Sequence, residues 1–203
     1  MIRLSSNHSH LVSSEGASLP EGLEQLLQRR SAWPLGLPAP NGQEFSAILQ
    51  AAACAPDHAG LTPWRFKFVR GGQRHVLLER VLSHSDAQTD EAKTMHGKYT
   101  AKLTTAPLVV VLAARLKEHP KAPGFEQMLT CGAAVMNMLN AAHLLGYHGF
   151  WSSTPGALGD ILKDVMGFEE QDQMLGLLNL GTPAHTPTTP PRVSAEVFAQ
   201  EWV

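Results

Sequence analysis

Apolar residues recur at helical spacing over most of this chain. In segment 20–31, a Pro-Glu start is followed by three leucines on one face, and this pattern predicts a helix. A second helix is predicted to begin after Asn41, because Asn41 and Glu44 have the spacing of a capping box and an apolar stripe follows them. Further helices are predicted over 73–84, 88–104, 125–146 and 157–167.

Strand patterns occur in four segments. "RFKFVR" (65–70) alternates aromatic and basic residues, whereas "PLVVVLAAR" (107–115) is a continuous β-branched run, typical of a strand covered on both faces. Two more strands are predicted at 148–153 and 173–183. Segment 32–40, "AWPLGLPAP", contains too many prolines for regular structure. Helices outnumber the scattered strands, so we expect an α+β layer fold.

Segment 125–146 is apolar on nearly all sides. A helix of this kind belongs in the middle of a core or at a subunit interface. Its polar residues Asn137, Asn140 and His143 recur at intervals of three. We expect them to form a hydrogen-bonded stripe that faces a neighbouring helix or subunit.

Composition narrows the class of partner. The 203 residues are 43% hydrophobic and 17% charged, which is ordinary for one globular domain with a sizeable core. The formal net charge of -2 gives no electrostatic case for nucleic acid or an anionic membrane, so we expect neither as a partner. Any bound anion must then be held by local arginines.

Several features favour a cytoplasmic protein. The longest apolar run, 106–114, is too short to span a bilayer, and the N-terminal residues lack a continuous apolar stretch. We expect residues 1–19 to form a disordered extension and 20–203 to form a single domain. Cys54 and Cys131 lie far apart and outside any C-x-x-C motif, which favours two reduced thiols.

The signature motifs of several enzyme classes are missing from the sequence. It contains no G-x-G-x-x-G or Walker loop, no G-x-S-x-G and no H-E-x-x-H. A Rossmann or P-loop nucleotide site, an α/β-hydrolase and a zinc protease are therefore disfavoured. The ten histidines are scattered over helices and loops, so we expect no metal site.

One loop, "CAPDHAGLTPWRF" (54–66), holds an Asp-His pair between two stiffening prolines. Asp57 and His58 have three interpretations: a catalytic dyad, half of a metal site, or the wall of a pocket. Adjacent residues point in different directions and Cys54 sits at a predicted helix end, so a dyad lacks its nucleophile. A metal would need more ligands, whereas a pocket wall needs neither.

Two other groups of residues suit an anion and a flat ring. Arg29, Arg30 and Ser31 offer forked donors and a hydroxyl, the groups that a phosphate monoester needs. The alternative is a helix end whose cations compensate the helix dipole. Segment 151–153, "WSS", together with Trp64 could frame a ring, although isolated aromatics more often belong to a core.

Taken in order, these pieces resemble the FMN-dependent nitroreductase family, in particular its small YdjA-type branch. The matching stretches are "LLQRRS", "ILQAAACAPDHAGLTPWRF", "APLVVVLAA", "EQMLTCGAAVMNMLNAA", "GYHGFWSS" and "LGTP". The resemblance covers Glu21 to Pro183. The triplet "RRS" is weakly specific by itself, whereas the ordered set is strong.

The resemblance implies a nitroreductase-like fold, with a mixed central β-sheet flanked by helices in an intertwined homodimer. It implies two FMN sites at the subunit interface, and a C-terminal tail (184–203) that packs on the partner subunit. In this family NAD(P)H gives hydride to N5 of FMN. Reduced FMN then passes it, in a ping-pong cycle, to a nitroaromatic, quinone-like or other oxidised small molecule. No side chain needs to act as a catalytic nucleophile.

The resemblance also assigns the cofactor-binding residues. Arg29, Arg30 and Ser31 would hold the FMN phosphate and ribityl chain. His58 would contact the flavin from the partner subunit, with its loop fixed by Pro56 and Asp57. Cys54, just before this loop, belongs to the same expected cofactor site. Contacts on the other side of the cofactor would come from Trp151, Ser152 and Ser153.

Three positions depart from the family pattern. Cys54 and Ser152 stand where YdjA-type proteins carry an arginine, and Trp33 with Pro34 replaces a basic residue that commonly follows the R-R-S triplet. Fewer cations stabilise an anionic reduced flavin less, so a flavin-binding module with little turnover is the alternative function. Arg192 in the tail could restore one charge.

Overall fold

The structure is a computed structural model that describes residues 20–85, 88–188 and 191–202. The predicted extension over 1–19 lies outside these residues. The helices are α1 (Glu21–Gln28), α2 (Gly42–Ala52), α3 (Gln73–Ser83), α4 (Asp90–Thr104), α5 (Gly124–Leu144) and α6 (Leu158–Val165). The strands are β1 (Leu35–Gly36), β2 (Trp64–Arg70), β3 (Leu108–Ala114), β4 (His148–Ser152) and β5 (Gln173–Pro183). Each helix and strand predicted from the sequence is therefore confirmed, with small shifts at its ends.

The strands form one sheet in which β5 is central. β3 and then β2 lie on one side of β5, while β4 and β1 pair with its other side. All pairings between these strands are antiparallel. The prediction of a mixed sheet, with parallel as well as antiparallel pairs, is therefore wrong, although the nitroreductase-like arrangement of sheet and helices is not affected. The reason is that β3 and β4 run in the same direction but are separated by β5, which runs between them in the opposite direction.

Helices cover the sheet on both faces. On one face, α2 and α5 pack against the even-numbered residues of β3, such as Val110. On the other, α3, α4 and α6 pack against the odd-numbered residues, such as Val111. Every residue of β3 is buried, which confirms the strand covered on both sides and the α+β class.

One local expectation from the sequence is confirmed and another is wrong. The Asn41 side chain accepts hydrogen bonds from the backbone N–H groups of Gln43 and Glu44, and the Glu44 carboxylate accepts one from Asn41 N–H, so the capping box is confirmed. Segment 32–40, in contrast, contains regular structure after all. Leu35 and Gly36 form the short strand β1, because they pair with the end of β5 rather than with a neighbour in sequence.

Helix α5 is buried on one face and exposed on the other. Its inner face includes Cys131, Val135 and Met138, each fully buried. Phe125 and Leu129 on the outer face keep 65% and 67% of their surface exposed. The helix therefore belongs to the core, as predicted, and also presents an apolar surface outside it.

The C-terminal tail leaves its apolar residues exposed. Val197 and Phe198 are each 74% exposed and Trp202 is 97% exposed. The part of the chain that the structure describes therefore does not bury these three apolar side chains. Within those same residues, no helix is long and apolar enough to cross a membrane.

Candidate functional site

The first group of candidate residues lies just past the end of α1. Arg29 has extended backbone angles, so the helix stops at Gln28 and the arginines leave its axis. The Arg30 guanidinium donates from Nη1 to the carbonyls of Leu27 and Arg29, both at 2.9 Å. Arg30 therefore does interact with carbonyl groups at the C-terminal end of α1, as the alternative interpretation of these cations predicts. However, Arg29 Nη1 and Arg30 Nε are buried and have no hydrogen-bond partner within the described ranges.

A third arginine joins this pair from the tail. Arg192 donates from Nη2 to the main-chain carbonyl of Arg29 at 2.5 Å. Burial lowers the pKa of the Arg29 guanidinium, and the positive charges of Arg192 and Arg30 lower it further. In ranges 20–85, 88–188 and 191–202, none of the three forms an ion pair with a carboxylate. Clustered guanidiniums with unused donors fit a phosphate group, which would supply the missing negative charge.

Ser31 links this cluster to β4. It forms an isolated parallel bridge with Gly149, so the R-R-S triplet and the "WSS" segment are brought to the same end of the sheet. Ser31 itself is exposed. Trp33 packs beside it on Phe150, with ring centroids 5.4 Å apart. An aromatic pair therefore occupies the place where the family commonly has a basic residue.

A bulge in β5 fixes the Trp151 ring. The register between β3 and β5 shifts so that Leu175 has no partner on β3, and its carbonyl accepts the Trp151 indole N–H at 2.9 Å. Trp151 nevertheless stays 40% exposed. The neighbouring Ser152 hydroxyl is buried without a hydrogen-bond partner in the described residues, and Ser153 is exposed. This strand end thus presents an anchored aromatic face and an unused hydroxyl.

The second group of candidate residues is the loop after α2. The Asp57 carboxylate accepts the backbone N–H groups of Leu61 and Thr62, at 3.0 and 2.7 Å. The Pro56 carbonyl accepts the Thr130 hydroxyl of α5 at 2.9 Å. Asp57 is therefore a brace of the loop, as the family resemblance implies, and the catalytic-dyad interpretation fails because its carboxylate is turned towards these amides.

His58 has a partner that sequence reasoning missed. Its Nδ1 lies 2.8 Å from Oε2 of Glu126, in the first turn of α5. No cluster of three or more metal-ligating side chains occurs in the residues described, so nothing here completes a metal site around the pair. Cys54, two residues past the end of α2, is an exposed free thiol, and Cys131 is a buried free thiol. Burial raises the pKa of Cys131 to about 11, which leaves it unreactive.

A cleft of about 750 Å³ opens beside the start of α5, in the connection from β3. Gln127 shapes this connection: its buried side-chain amide donates to the carbonyls of Lys117 and Ala122, both at 2.8 Å, and accepts the Lys117 N–H. The Lys117 ammonium in turn donates to the Leu61 carbonyl of the His58 loop. The cleft and the loop are therefore held as one structure.

Of the polar stripe expected on α5, His143 contacts a neighbouring helix, whereas contacts of Asn137 and Asn140 with another subunit stay a prediction. The Nε2 atom of His143 lies 2.8 Å from the Gln25 carbonyl, so His143 does face the neighbouring helix α1. The His143 and His148 rings meet edge-on at 5.9 Å. The Asn140 side-chain oxygen is buried without a partner in the part of the chain described. His143 also lines a cleft with Arg30, which puts the arginine cluster near the C-terminal end of α5.

The two groups of candidate residues lie at opposite ends of α5. His58 contacts Glu126 at its N-terminal end, whereas the arginines lie near His143. Glu126 and His143 are seventeen positions apart, which corresponds to roughly 25 Å along the helix axis. The two groups are therefore well separated within one chain.

Comparison with known proteins identifies the family. Residues 26–182 match the Nitroreductase family. The Escherichia coli K12 protein named "Putative NAD(P)H nitroreductase YdjA" is 35% identical over 163 residues, which are 80% of this chain and 88% of the relative. A Haemophilus influenzae relative, named "Putative NAD(P)H nitroreductase", is 33% identical over 80% of this chain and 88% of its own length.

Solved structures share the fold at lower identity. A nitroreductase-like family protein from Bacillus cereus superposes with a TM-score of 0.76 at 19% identity, covering 92% of this chain and 98% of that one. A Bacteroides fragilis nitroreductase solved with bound FMN gives a TM-score of 0.69 at 23% identity, covering 90% of this chain and all of that one (100%). The fold and the sequence agree: this chain belongs to the nitroreductase family.

Proposed function

We propose that this protein is an FMN-dependent oxidoreductase that takes hydride from NAD(P)H. It passes the hydride to a nitroaromatic, quinone-like or other oxidised small molecule in a ping-pong cycle. The observation that carries the proposal is the arginine cluster, in which three guanidiniums gather without a carboxylate among the described residues. Such a cluster calls for a ligand with a phosphate group, and FMN carries one.

The residues divide the work of holding FMN. Arg29 and Arg30 offer their unused N–H donors to the phosphate, and Arg192 adds a third positive charge beside them. Ser31 and the Ser152 hydroxyl supply neutral donors, while the anchored Trp151 ring gives an apolar surface for the flavin. FMN supplies the electron-transfer chemistry at N5, so the protein's tasks are binding, orientation and exclusion of water.

The functional unit in this proposal is a homodimer with FMN at the subunit interface. The separation of the two residue groups along α5 supports it, because a flavin site that uses both groups would take His58 from one subunit and the arginine cluster from the other. The exposed outer face of α5 supports it as well, since an apolar surface of this kind is typical of an interface. The tail with Phe198 and Trp202 would pack on the partner subunit in the same assembly.

Reconstitution followed by reduction tests the proposal. Purified protein is incubated with FMN and desalted, and its visible spectrum is recorded before and after NADH or NADPH is added without oxygen. We expect a retained yellow chromophore that bleaches, and recovers its colour when a quinone is added. A protein that retains no FMN contradicts the proposal as a whole. A retained flavin that neither nicotinamide bleaches contradicts the enzyme and favours the flavin-binding module instead.

A further inference from the structure

The contact between His58 and Glu126 adds little to the stability of the fold. The two side chains are 55% and 37% exposed, and exposed ion pairs typically contribute about 0–1 kcal/mol. The loop that carries His58 is held without this pair, by the Asp57 carboxylate, the Thr130 hydroxyl and the Lys117 ammonium. The pair is therefore better explained by what it does to the imidazole than by what it does for the loop.

Glu126 fixes which nitrogen of His58 carries the permanent proton. A carboxylate only accepts hydrogen bonds, so Nδ1 must be the donor in the 2.8 Å contact. Nε2, across the ring, has no partner within the residues described. Such a ring can bind a proton at Nε2 and release it again without turning, because the Nδ1–H to Glu126 bond holds it in both forms.

We infer that Glu126 is a positioning residue that makes His58 the proton donor to the acceptor. This inference rests on the proposed function, in which NAD(P)H supplies the hydride. A quinone that receives a hydride needs one further proton to become a hydroquinone. The Nε2–H bond of protonated His58 breaks, an O–H bond forms on the acceptor, and water returns a proton to Nε2. Nδ1–H stays with Glu126 throughout.

The surroundings of His58 suit this role. In the single chain more than half of the His58 side chain is exposed, so the ring is not enclosed by its own subunit. The cleft of about 750 Å³ begins at the same end of α5, at Gly124, two residues from Glu126. Lys117, which lines this cleft, also donates to the Leu61 carbonyl of the loop that carries His58, so the cleft adjoins that loop.

The first test needs neither FMN nor turnover. Nitrogen-15 NMR of the histidine side chains in flavin-free protein reports the tautomer of neutral His58, and His58→Ala assigns its signals. We expect the Nδ1–H tautomer in the wild type, and a shift to Nε2–H, which an unconstrained imidazole prefers, in Glu126→Ala. Glu79→Ala, which removes an exposed carboxylate from α3, serves as the control and should leave the tautomer unchanged. An unchanged tautomer in Glu126→Ala overturns the positioning role.

The second test compares two acceptors. A quinone takes up a proton on reduction, whereas ferricyanide takes up an electron only. We expect Glu126→Ala and His58→Ala, each assayed per bound FMN, to lower the ratio of quinone to ferricyanide kcat by about hundred-fold or more, at the lower end of the range of general acid catalysis. Equal losses with both acceptors overturn proton donation. A wild-type protein inactive with both contradicts the proposed function, while the tautomer measurement still decides the role of Glu126.

Discussion

Arg192 lies against Arg29, 163 positions away, and donates a hydrogen bond to its main-chain carbonyl. This contact gathers three like charges at the end of α1, which is unfavourable unless an anion joins them. It also ties the Pro/Thr-rich tail to the body of its own chain before the exposed residues Val197, Phe198 and Trp202. The tail therefore has one fixed point at the arginine cluster and a free apolar end.

Replacing Arg192 should weaken FMN binding moderately. We expect Arg192→Ala to raise the FMN dissociation constant about three- to tenfold, because the side chain is exposed and solvent screens its charge. Arg29→Ala should cost about ten- to hundred-fold, the equivalent of one charged hydrogen bond of about 1.5–3 kcal/mol. Titration of FMN fluorescence measures both, with Arg80→Ala on α3 as the control. Wild-type affinity in Arg192→Ala would remove the tail from the site.

A charge on the outer face of α5 should break the proposed dimer. Leu129 is two-thirds exposed in one chain and lies in the middle of the apolar surface that a partner would cover. We expect Leu129→Asp to elute as a monomer in light-scattering chromatography and to lose FMN. Val76→Asp on α3, which also charges an exposed apolar position, should stay a dimer. A dimeric Leu129→Asp protein would place the interface on another surface.

The stability of the protein should fall in mild acid, in part through His148. Burial lowers the pKa of His148 below its usual 6.5, and the neighbouring His143 lowers it further. The unfolded chain therefore binds this proton at a higher pH than the folded protein does, so the free energy of unfolding falls as the pH drops below about 6.5. Urea unfolding at pH 7 and pH 5 should show a smaller difference for His148→Gln than for the wild type. His75→Gln, at an exposed position, should retain the full difference.

Sequence alone predicted what depends on neighbours along the chain. The apolar spacing of α1 to α6 and the β-branched run of β3 are local patterns, and they placed these elements correctly. The capping box from Asn41 to Glu44 spans four residues and could be predicted in the same way. The order of the strands could not be predicted in this way, because β5 inserts between β3 and β4 through pairings that no short segment encodes.

Site contacts beyond the reach of local patterns could be found only in the structure. Glu126 is 68 positions from His58, and in sequence it looks like an ordinary acidic residue in the first turn of a helix. The apolar pattern of α5 left core and interface as alternatives, whereas the helix faces the core on one side and the exterior on the other. The family motifs supplied Arg29 and Arg30, whereas Arg192, the third cation of the cluster, lies outside the segment that resembles the family.

Adding a methyl group at Gly176 should disturb the site through the sheet. Gly176 has a positive φ of 110°, and a Cβ there would lie 2.3 Å from the backbone carbonyl oxygen of Ser152. Because backbone cannot move aside as a side chain can, we expect Gly176→Ala to lose more than about 2 kcal/mol of unfolding free energy. The Trp151 fluorescence spectrum should change as well. Gly72→Ala, where a Cβ meets nothing within 4 Å, should be neutral in both measurements.

The length of α5 has a genetic consequence. With the arginine cluster at one end of the helix and His58 at the other, each flavin site of the proposed dimer draws one half from each chain. A chain defective at Arg29 and a chain defective at His58 would each be impaired alone, yet a mixed dimer of the two would contain one site with both halves intact. Co-expression of the two variants should therefore restore up to half of the wild-type activity per mixed dimer, as complementation between alleles.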